Sequence, residues 1–428
     1  MTLGFFALGG LDLRRALVPN AAAPALAGSG ADGPTKAAAA TTADERRGWR
    51  AWIYAQQITR TTPRGLYTGF RGGPFAALPA VSATDAAATV AAPKGTGPAA
   101  ERDHLHDLPH ITNTYTALAN LLMLGDDLAG VRRAATAASL RLLQDPATGA
   151  MVPYPGSREQ DLRFVYCACV ISTLLRDWRG LDVPRLVGRI ARCRNPLDGA
   201  YGQVPGQESH GGSTFCAVAA LVLIRRAARD GHDGAPSAAA RDGAAPLLEA
   251  LLAAPRLVDV PGMEETREWL LCRQVELPSA EGGGSSSSSG GDDDATPAAG
   301  FQGRINKVPD TCYAFWIGAA IALLDGTALT APGRTRAFLR QTRSARLGGY
   351  SKSVGGYPDV LHAFMGLAGT ALISGAADDG VADDGADAAD GDVHGQPSPT
   401  LDGIDPALTL SARAAAHWRS LVFPPATA

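Results

Sequence analysis

Pro309-Asp-Thr-Cys-Tyr-Ala-Phe-Trp-Ile-Gly-Ala-Ala-Ile-Ala-Leu-Leu324 decides the fold class. From Cys312 to Leu324 no charged residue interrupts thirteen apolar or small ones. Pro and Asp stand just before the run, where the first turn of a helix takes them best. The run is too short to cross a bilayer, which needs about 18 apolar residues. A helix apolar on all sides and too short for a membrane must be covered on all sides by protein.

The same phrase recurs along the chain. A His or Asp is followed five residues later by an aromatic residue and then an Ala/Leu-rich run. The pairs are His110/Tyr115, Asp161/Tyr166, His210/Phe215, Asp310/Phe315 and Asp359/Phe364, with anchors 51, 49, 100 and 49 residues apart. The long interval is one period plus inserted chain. The runs Thr114–Leu124, Tyr166–Leu175, Phe215–Ile224, Tyr313–Leu324 and His362–Ile373 read as buried helices. Amphipathic stretches such as Leu128–Leu143 and Val183–Cys193 lie between them. Each repeat is therefore a helix pair. Stacked pairs can form an open solenoid or close into an α/α barrel with the apolar helices inside; the pattern alone leaves both open. Sites that draw on several repeats favour closure. The expected fold is all-α, one domain over residues 1–428.

Four stretches interrupt the pattern, at 21–43, 80–99, 278–300 and 374–402, and a softer one covers Arg229–Ala245. The third holds five consecutive Ser, and the fourth is rich in Asp, Gly and Ala. Such compositions bury too little apolar surface to offset the entropy of ordering, so disordered insertions are expected. Over the whole chain 46% of residues are hydrophobic, which supplies an ample core. With 39 Lys+Arg against 42 Asp+Glu, the net charge of −3 argues against a nucleic-acid partner. No segment reads as a membrane span, and the Leu3–Leu13 run reads as a helix entering a core. Six Cys in 428 residues make no disulfide framework and fit a reducing, cytoplasmic setting. Cys167, Cys169, Cys193 and Cys272 read as helix-packing residues.

Chemistry gathers at the helix starts. Asp310 and Cys312 begin one inner helix, and His362 lies one turn into the next. Oxygen, sulfur and nitrogen donors from neighbouring repeats can hold one Zn²⁺ and leave its fourth position open, the catalytic pattern. On spacing alone the plainer reading leads: Asp310 as a cap, Cys312 and His362 as core. Arg304, Lys307 and Tyr313 precede or start the same helix, and His210-Gly211-Gly212 starts another. Helix N-termini with Arg, Lys and His suit a multiply charged anion; a solvated basic loop is the alternative.

Several segments carry a specific resemblance. They are Phe5-Phe-Ala-Leu-Gly-Gly-Leu-Asp12, Gly69-Phe-Arg-Gly72, Asp161-Leu-Arg-Phe-Val-Tyr-Cys-Ala168, Glu208-Ser-His-Gly-Gly-Ser-Thr-Phe-Cys216, Asn306-Lys-Val-Pro-Asp-Thr-Cys-Tyr-Ala-Phe-Trp316, Gly348-Gly-Tyr-Ser-Lys352 and Pro358-Asp-Val-Leu-His-Ala-Phe364. In this order they closely resemble the β subunits of protein geranylgeranyltransferases of type I, within the protein prenyltransferase β-subunit family. The resemblance implies an α/α barrel, which agrees with the closed option. It also implies a zinc-dependent transfer of geranylgeranyl from its diphosphate to the Cys of a C-terminal CaaX motif.

By position, the resemblance implies Asp310, Cys312 and His362 as zinc ligands and His210, Arg304, Lys307 and Tyr313 as the diphosphate site. Thr2, Tyr115, Arg163, Tyr166, Cys216 and Trp316 fall at its isoprenoid pocket. His110, Thr112, Phe164 and Leu361 fall where the family reads the substrate peptide. Thr2 replaces a bulky Trp of the farnesyl-transferring relative and leaves room for a longer chain. Lys352 replaces an Asp associated there with Mg²⁺, so its ammonium is assigned a catalytic role and magnesium is not required. Met365 departs from the pattern, which usually has an aromatic residue there. Residue 2 falls at the start of the family's first inner helix. The resemblance further implies a heterodimer with a prenyltransferase α subunit, activity only in that complex, and small GTPases among the CaaX substrates. Farnesyltransferase and Rab geranylgeranyltransferase β subunits are the nearest alternatives. A terpene cyclase lacks a use for a Cys/His metal site, and a non-enzymatic helical-repeat scaffold leaves the polar cluster unexplained.

Overall fold

The computed structural model describes residues 1–17, 41–74, 107–236, 246–277, 297–377 and 401–423. Six apolar helices form its inner layer: α1 (Thr2–Leu13), α3 (Ile111–Met123), α5 (Leu162–Leu175), α7 (Gly211–Asp230), α10 (Thr311–Leu323) and α12 (Val360–Ala377). Each packs on the next, and α12 packs back on α1, so the ring closes. The open solenoid is thereby excluded. Gly9 permits the closing contact, because a Cβ there would sit 2.5 Å from the Phe364 ring. The outer layer contains α2 (Ala43–Tyr54), α4 (Arg133–Ser139), α6 (Val183–Cys193), α8 (Pro246–Ala253), α9 (Met263–Leu271) and α11 (Pro332–Thr342), while α13 (Ala412–Ser420) lies at the C-terminal ends of α3 and α5, where Arg413 donates to Met123 O and Trp418 Nε1 to Leu174 O.

The recurrent anchors are helix caps. His110 Nδ1 accepts from Thr112 N–H at 3.2 Å, Asp161 Oδ1 from Arg163 at 2.8 Å, His210 Nδ1 from Gly212 at 3.0 Å and Asp310 Oδ1 from Cys312 at 2.9 Å. Asp359 Oδ1 does the same for His362 N–H at 3.0 Å. Each cap satisfies a backbone donor that the helix leaves orphaned. The next donor goes to a neighbouring repeat: Ile111 N–H to Pro153 O, Leu162 to Gln203 O, Gly211 to Gly303 O and Thr311 to Lys352 O, at 2.8–3.2 Å. These bonds fix adjacent inner helices at one level, so the caps form a single rim.

The aromatic five residues below each cap forms a belt. Ring centroids run Phe364–Phe5 at 5.4 Å, Phe5–Tyr115 at 5.5 Å, Tyr115–Tyr166 at 5.8 Å, Tyr166–Phe215 at 5.3 Å and Phe215–Phe315 at 5.7 Å. All six rings are buried. Helix α7 is the one described helix long and apolar enough to span a membrane, and 78% of its apolar window is buried within the ring.

Several sequence boundaries shift. Leu128–Leu143 is a turn, the short helix α4 and a 3-10 turn, because Leu128 takes positive φ and Ser139–Leu142 tightens. Three two-stranded sheets join the helices: β1 (Gln57–Thr62) with β2 (Gly65–Phe70), β3 (Gln274–Glu276) with β4 (Ala299–Phe301), and β5 (Ile404–Asp405) with β6 (Leu410–Ser411). The first was legible in the alternating Ile and Thr residues before Pro63-Arg64-Gly65. Residues 80–99 and most of 21–43, 278–300 and 374–402 lie outside the described residues. Their margins are ordered: Ala43 starts α2 under a Thr42/Glu45 capping box, and Ala299 and Gly300 are buried in β4. Arg229 and Asp230 end α7, and Ser374–Ala377 end α12. Cys272 is exposed, unlike buried Cys167, Cys169 and Cys193.

Candidate metal and anion site

Two polar clusters share the first turn of α10 at the rim. The carboxylate oxygen of Asp310, the thiol of Cys312 and an imidazole nitrogen of His362 lie within 4.8 Å of one another. Asp310 and Cys312 are two residues apart and would diverge on a regular helix. They converge because Asp310 is the cap, with extended backbone (φ −138°, ψ 132°), and its carboxylate folds back over the first turn. His362 arrives from the first turn of α12, whose packing on α10 is the most extensive in the ring.

The donor set fits one Zn²⁺: a soft sulfur, an imidazole and a carboxylate with room for a fourth group. The orientation of His362 supports the fit. Its Nδ1 bonds Asp359 Oδ2 at 2.6 Å, while Nε2 faces Asp310 Oδ1 at 3.4 Å. A carboxylate behind the imidazole fixes the tautomer and leaves Nε2 to ligate. Sequence reasoning took Asp359 as a repeat anchor only; its position three residues before a ligand histidine was the available signal.

Electrostatics agree with a cation here. Burial first, then the Asp310 carboxylate, pushes the Cys312 thiol far up, so without a cation it is protonated. Burial alone would raise Asp310, but hydrogen bonds from His362 and Cys312 outweigh it and hold its carboxyl below the usual range. Burial alone would lower His362, but hydrogen bonds to Asp310 and Asp359 raise it. A dication reverses this balance by favouring thiolate and neutral imidazole. Lys352 Nζ lies 3.9 Å from Asp310 Oδ2, with its side chain exposed.

The second cluster spans α7 and α10. His210 Nε2 and Tyr313 Oη are 3.1 Å apart. Because His210 Nδ1 accepts the cap bonds, Nε2 carries the proton when the ring is neutral. Burial, followed by the Arg304 charge, holds its pKa below the ordinary imidazole value, although Glu208 opposes this. Arg304 bonds Glu208 at 3.4 Å from the loop that also carries exposed Lys307. Gly303 lies flat against Tyr313: a Cβ there would meet the ring at 2.0–2.3 Å. Gly303→Ala is therefore expected to displace Tyr313 and weaken inorganic diphosphate binding by about tenfold, the scale of one lost charge-assisted hydrogen bond. Calorimetric titration checks this, and unchanged affinity would remove Tyr313 from the site.

The remaining residues from the sequence fall at different depths. Tyr115, Tyr166 and Trp316 belong to the belt or stack on it; Trp316 lies 4.9 Å from Phe215 and 5.2 Å from Phe315. Cys216 is buried on α7. Arg163 stands at the mouth rather than in the wall, bonded to Asp161 and Glu159 and lying 5.5 Å over Phe164. Thr2 Oγ1 is 3.2 Å from Asn113 Oδ1, where α1 meets the first turn of α3. His110 lies 6.2 Å from Phe164, and Thr112 Oγ1 lies 3.9 Å from Cys167 Sγ. Leu361 stands apart from these on α12, beside the metal cluster. Met365 is fully buried.

A family profile described as a prenyltransferase alpha-alpha toroid domain matches residues 1–410. The chain is 32% identical over 310 residues to a geranylgeranyl transferase type-1 subunit beta of Dictyostelium discoideum, covering 72% of this chain and 66% of that protein. It is 35% identical over 271 residues to the protein of the same name from Arabidopsis thaliana, covering 63% of this chain and 60% of that one. The chain thus spans about two thirds or less of the length of these relatives. Its fold is shared with a solved Candida albicans protein geranylgeranyltransferase-I complexed with GGPP, at a TM-score of 0.65 and 20% identity over 99% of this chain and 92% of that one.

Proposed function

This chain belongs to the prenyltransferase alpha-alpha toroid family, and on that premise we propose that it is the catalytic β subunit of a type I protein geranylgeranyltransferase. The observation carrying this reading is the junction at the start of α10, where consecutive residues Cys312 and Tyr313 serve a metal cluster and an anion cluster. Similarity to two type-1 beta subunits favours this branch over farnesyl- and Rab-modifying relatives.

The transfer forms a carbon–sulfur bond at C1 of geranylgeranyl diphosphate, breaks the C1–oxygen bond and releases diphosphate. Asp310, Cys312 and His362 would hold Zn²⁺, which when bound keeps a substrate thiol, ordinarily of pKa about 8.5, as thiolate at neutral pH. His210 Nε2–H, Arg304, Lys307 and the Tyr313 hydroxyl present donors to the leaving diphosphate, where negative charge develops. Lys352 supplies fixed positive charge beside them in place of Mg²⁺. The belt shields the isoprenoid from water, at about 0.8 kcal/mol per buried CH₂. His110, Thr112, Phe164 and Leu361, on the α3, α5 and α12 side of the rim, meet the peptide, and Thr2, where α1 meets the first turn of α3, leaves room for the longer isoprenoid. An α subunit completes the enzyme, which acts on CaaX proteins in the cytoplasm.

The test is transfer by the α–β complex, offered fifteen- and twenty-carbon diphosphates with peptides ending in Leu or Met, alongside metal analysis. The twenty-carbon chain and Leu peptide should be preferred, without added magnesium. Preference for the fifteen-carbon chain would reassign the subunit. Lys352→Asp should make turnover rise with Mg²⁺, and a flat response would end the charge-replacement reading.

A pH effect follows from His210. Its folded pKa is depressed, so the unfolded chain takes up the proton first and this group's contribution to stability is lost as pH falls through about 6.5. A bound diphosphate raises that pKa. Binding near pH 6.5 should therefore take up a proton, seen as a buffer-dependent calorimetric enthalpy that His210→Gln abolishes.

A further inference from the structure

At the end of the ring opposite the rim lies a cleft of about 500 Å³ that prenyl transfer does not use. Three helices bring cations to it. Arg176 follows the last turn of α5, Arg226 and Arg229 lie at the end of α7, and Arg419 lies at the end of α13. Leu408 adds an apolar wall; its neighbours Ala407 O and Thr409 Oγ1 lie 3.1 and 2.9 Å from the Tyr166 hydroxyl. Arg226 comes 16 residues after the cap His210. That is about 24 Å along α7 at 1.5 Å per residue, so the cleft is separate from the anion cluster at the rim.

Four guanidiniums meet two carboxylates here: Asp230 in the lining, and Asp405, which accepts from Arg226 at 3.1 Å and from Arg419 at 2.9 Å. Compensation of the α5 and α7 helix ends does not account for the four. The last carbonyls of α5 accept from Arg133, which does not line the cleft. Arg176 donates instead to the carbonyls of Trp418, Arg419 and Leu421, at 3.0–3.2 Å. Arg226 uses only Nη1 and Arg419 only Nη2. Their other N–H groups, and all those of exposed Arg229, have no acceptor among the described residues. His232, also in the lining, has a buried Nδ1 with no partner among them. Burial, then the nearby Arg133 charge, holds the Arg176 pKa below its ordinary value, a sign of crowded cations that an anion would relieve.

We propose that this cleft binds a compact polyphosphate, which ties the C-terminal segment carrying Leu408 and Arg419 to α5 and α7. The inference does not depend on the prenyl-transfer reading. Guanidinium forks match phosphate oxygens in pairs, and the free N–H groups supply several such forks. Arg176, Arg226 and Arg419 are already held by the bonds above, so little ordering remains to be offset on binding. The volume suits a small ligand. A nucleotide fits less well. Trp418 is 7% exposed, lies under Arg176 at 5.4 Å and donates its Nε1 to Leu174 O, so it offers no free face to stack on a base.

The experiment titrates the α–β complex calorimetrically with inorganic tripolyphosphate, with sulfate at equal ionic strength as control. Two events are expected, one at the rim and one at the base. Arg304→Ala should weaken the first alone. Arg229→Glu removes no protein contact and should weaken the second alone by about tenfold or more, as a charge-assisted hydrogen bond replaced by repulsion requires. Arg419→Gln is a second variant with the same expectation. Tripolyphosphate should also raise the melting temperature of the Arg304→Ala complex, but not that of a complex carrying Arg304→Ala and Arg229→Glu together. A single event that Arg304→Ala removes overturns the site. So does a base event that sulfate reproduces, or one that neither Arg229→Glu nor Arg419→Gln weakens. ATP binding at the base more tightly than tripolyphosphate overturns the choice of a bare polyphosphate. A base event seen only after Asp→Asn changes at the seven Asp of residues 378–392 overturns the free ligand in favour of the chain's own acidic segment.

Discussion

Cys312→Ala is expected to strip the copurified complex of its zinc and to lower prenyl transfer by at least about a hundredfold, beyond the 10- to 100-fold typical of losing a residue that merely supports a ligand. Cys312 is a small side chain on a residue of intermediate exposure at the first turn of α10, so its removal leaves a small void and little loss of stability. That separates the two readings of this residue. If Cys312 only packs, the alanine variant melts slightly earlier and keeps its metal and turnover. If it ligates, metal and turnover go while the melting temperature of the metal-free chain barely moves. Asp359→Asn should fall between, because it weakens the hold on His362 Nδ1 without removing a donor.

The second large effect concerns stability. Asp12, 1% exposed at the end of α1, accepts from Ser411 Oγ at 2.5 Å and from Arg413 Nε at 3.0 Å. It ties the first inner helix to β6 and the start of α13. Asp12→Ala leaves the half-buried Arg413 guanidinium without its carboxylate, with only the Met123 carbonyl to accept from it, and should cost about 3 kcal/mol in urea unfolding, as when one partner of a buried pair is removed. The pair is not intrinsically stabilising: burial raises the Asp12 pKa despite Arg413, so ionisation there is unfavourable relative to the unfolded chain. Replacing both partners by Leu should therefore recover most of the loss. A double variant as unstable as the single one would show that Asp12 acts through packing alone.

Much of the rim was legible because its signals are local. A cap residue and an aromatic five positions later report a helix start and the residue that turns inward, and both follow from backbone hydrogen bonding and the 3.6-residue period. Val183–Cys193 matched its helix to the residue because Asp182 caps it, Pro184 follows and its apolar stripe is narrow. Leu128–Leu143 misled because its apolar periodicity continues through a positive-φ turn that composition does not reveal. The β1–β2 hairpin and the part of Asp359 behind His362 had signals that the repeat pattern overshadowed.

The sequence by itself determined the helical repeat, the capping residues and the donor types at each helix start, since these depend on neighbours within one turn. Only the tertiary structure decided that the repeats close through Gly9 and Phe364, that donors fifty residues apart meet at one point, and that a C-terminal turn rises to Tyr166. Each of these depends on accumulated angles between packed helices, and no local rule of spacing carries that information.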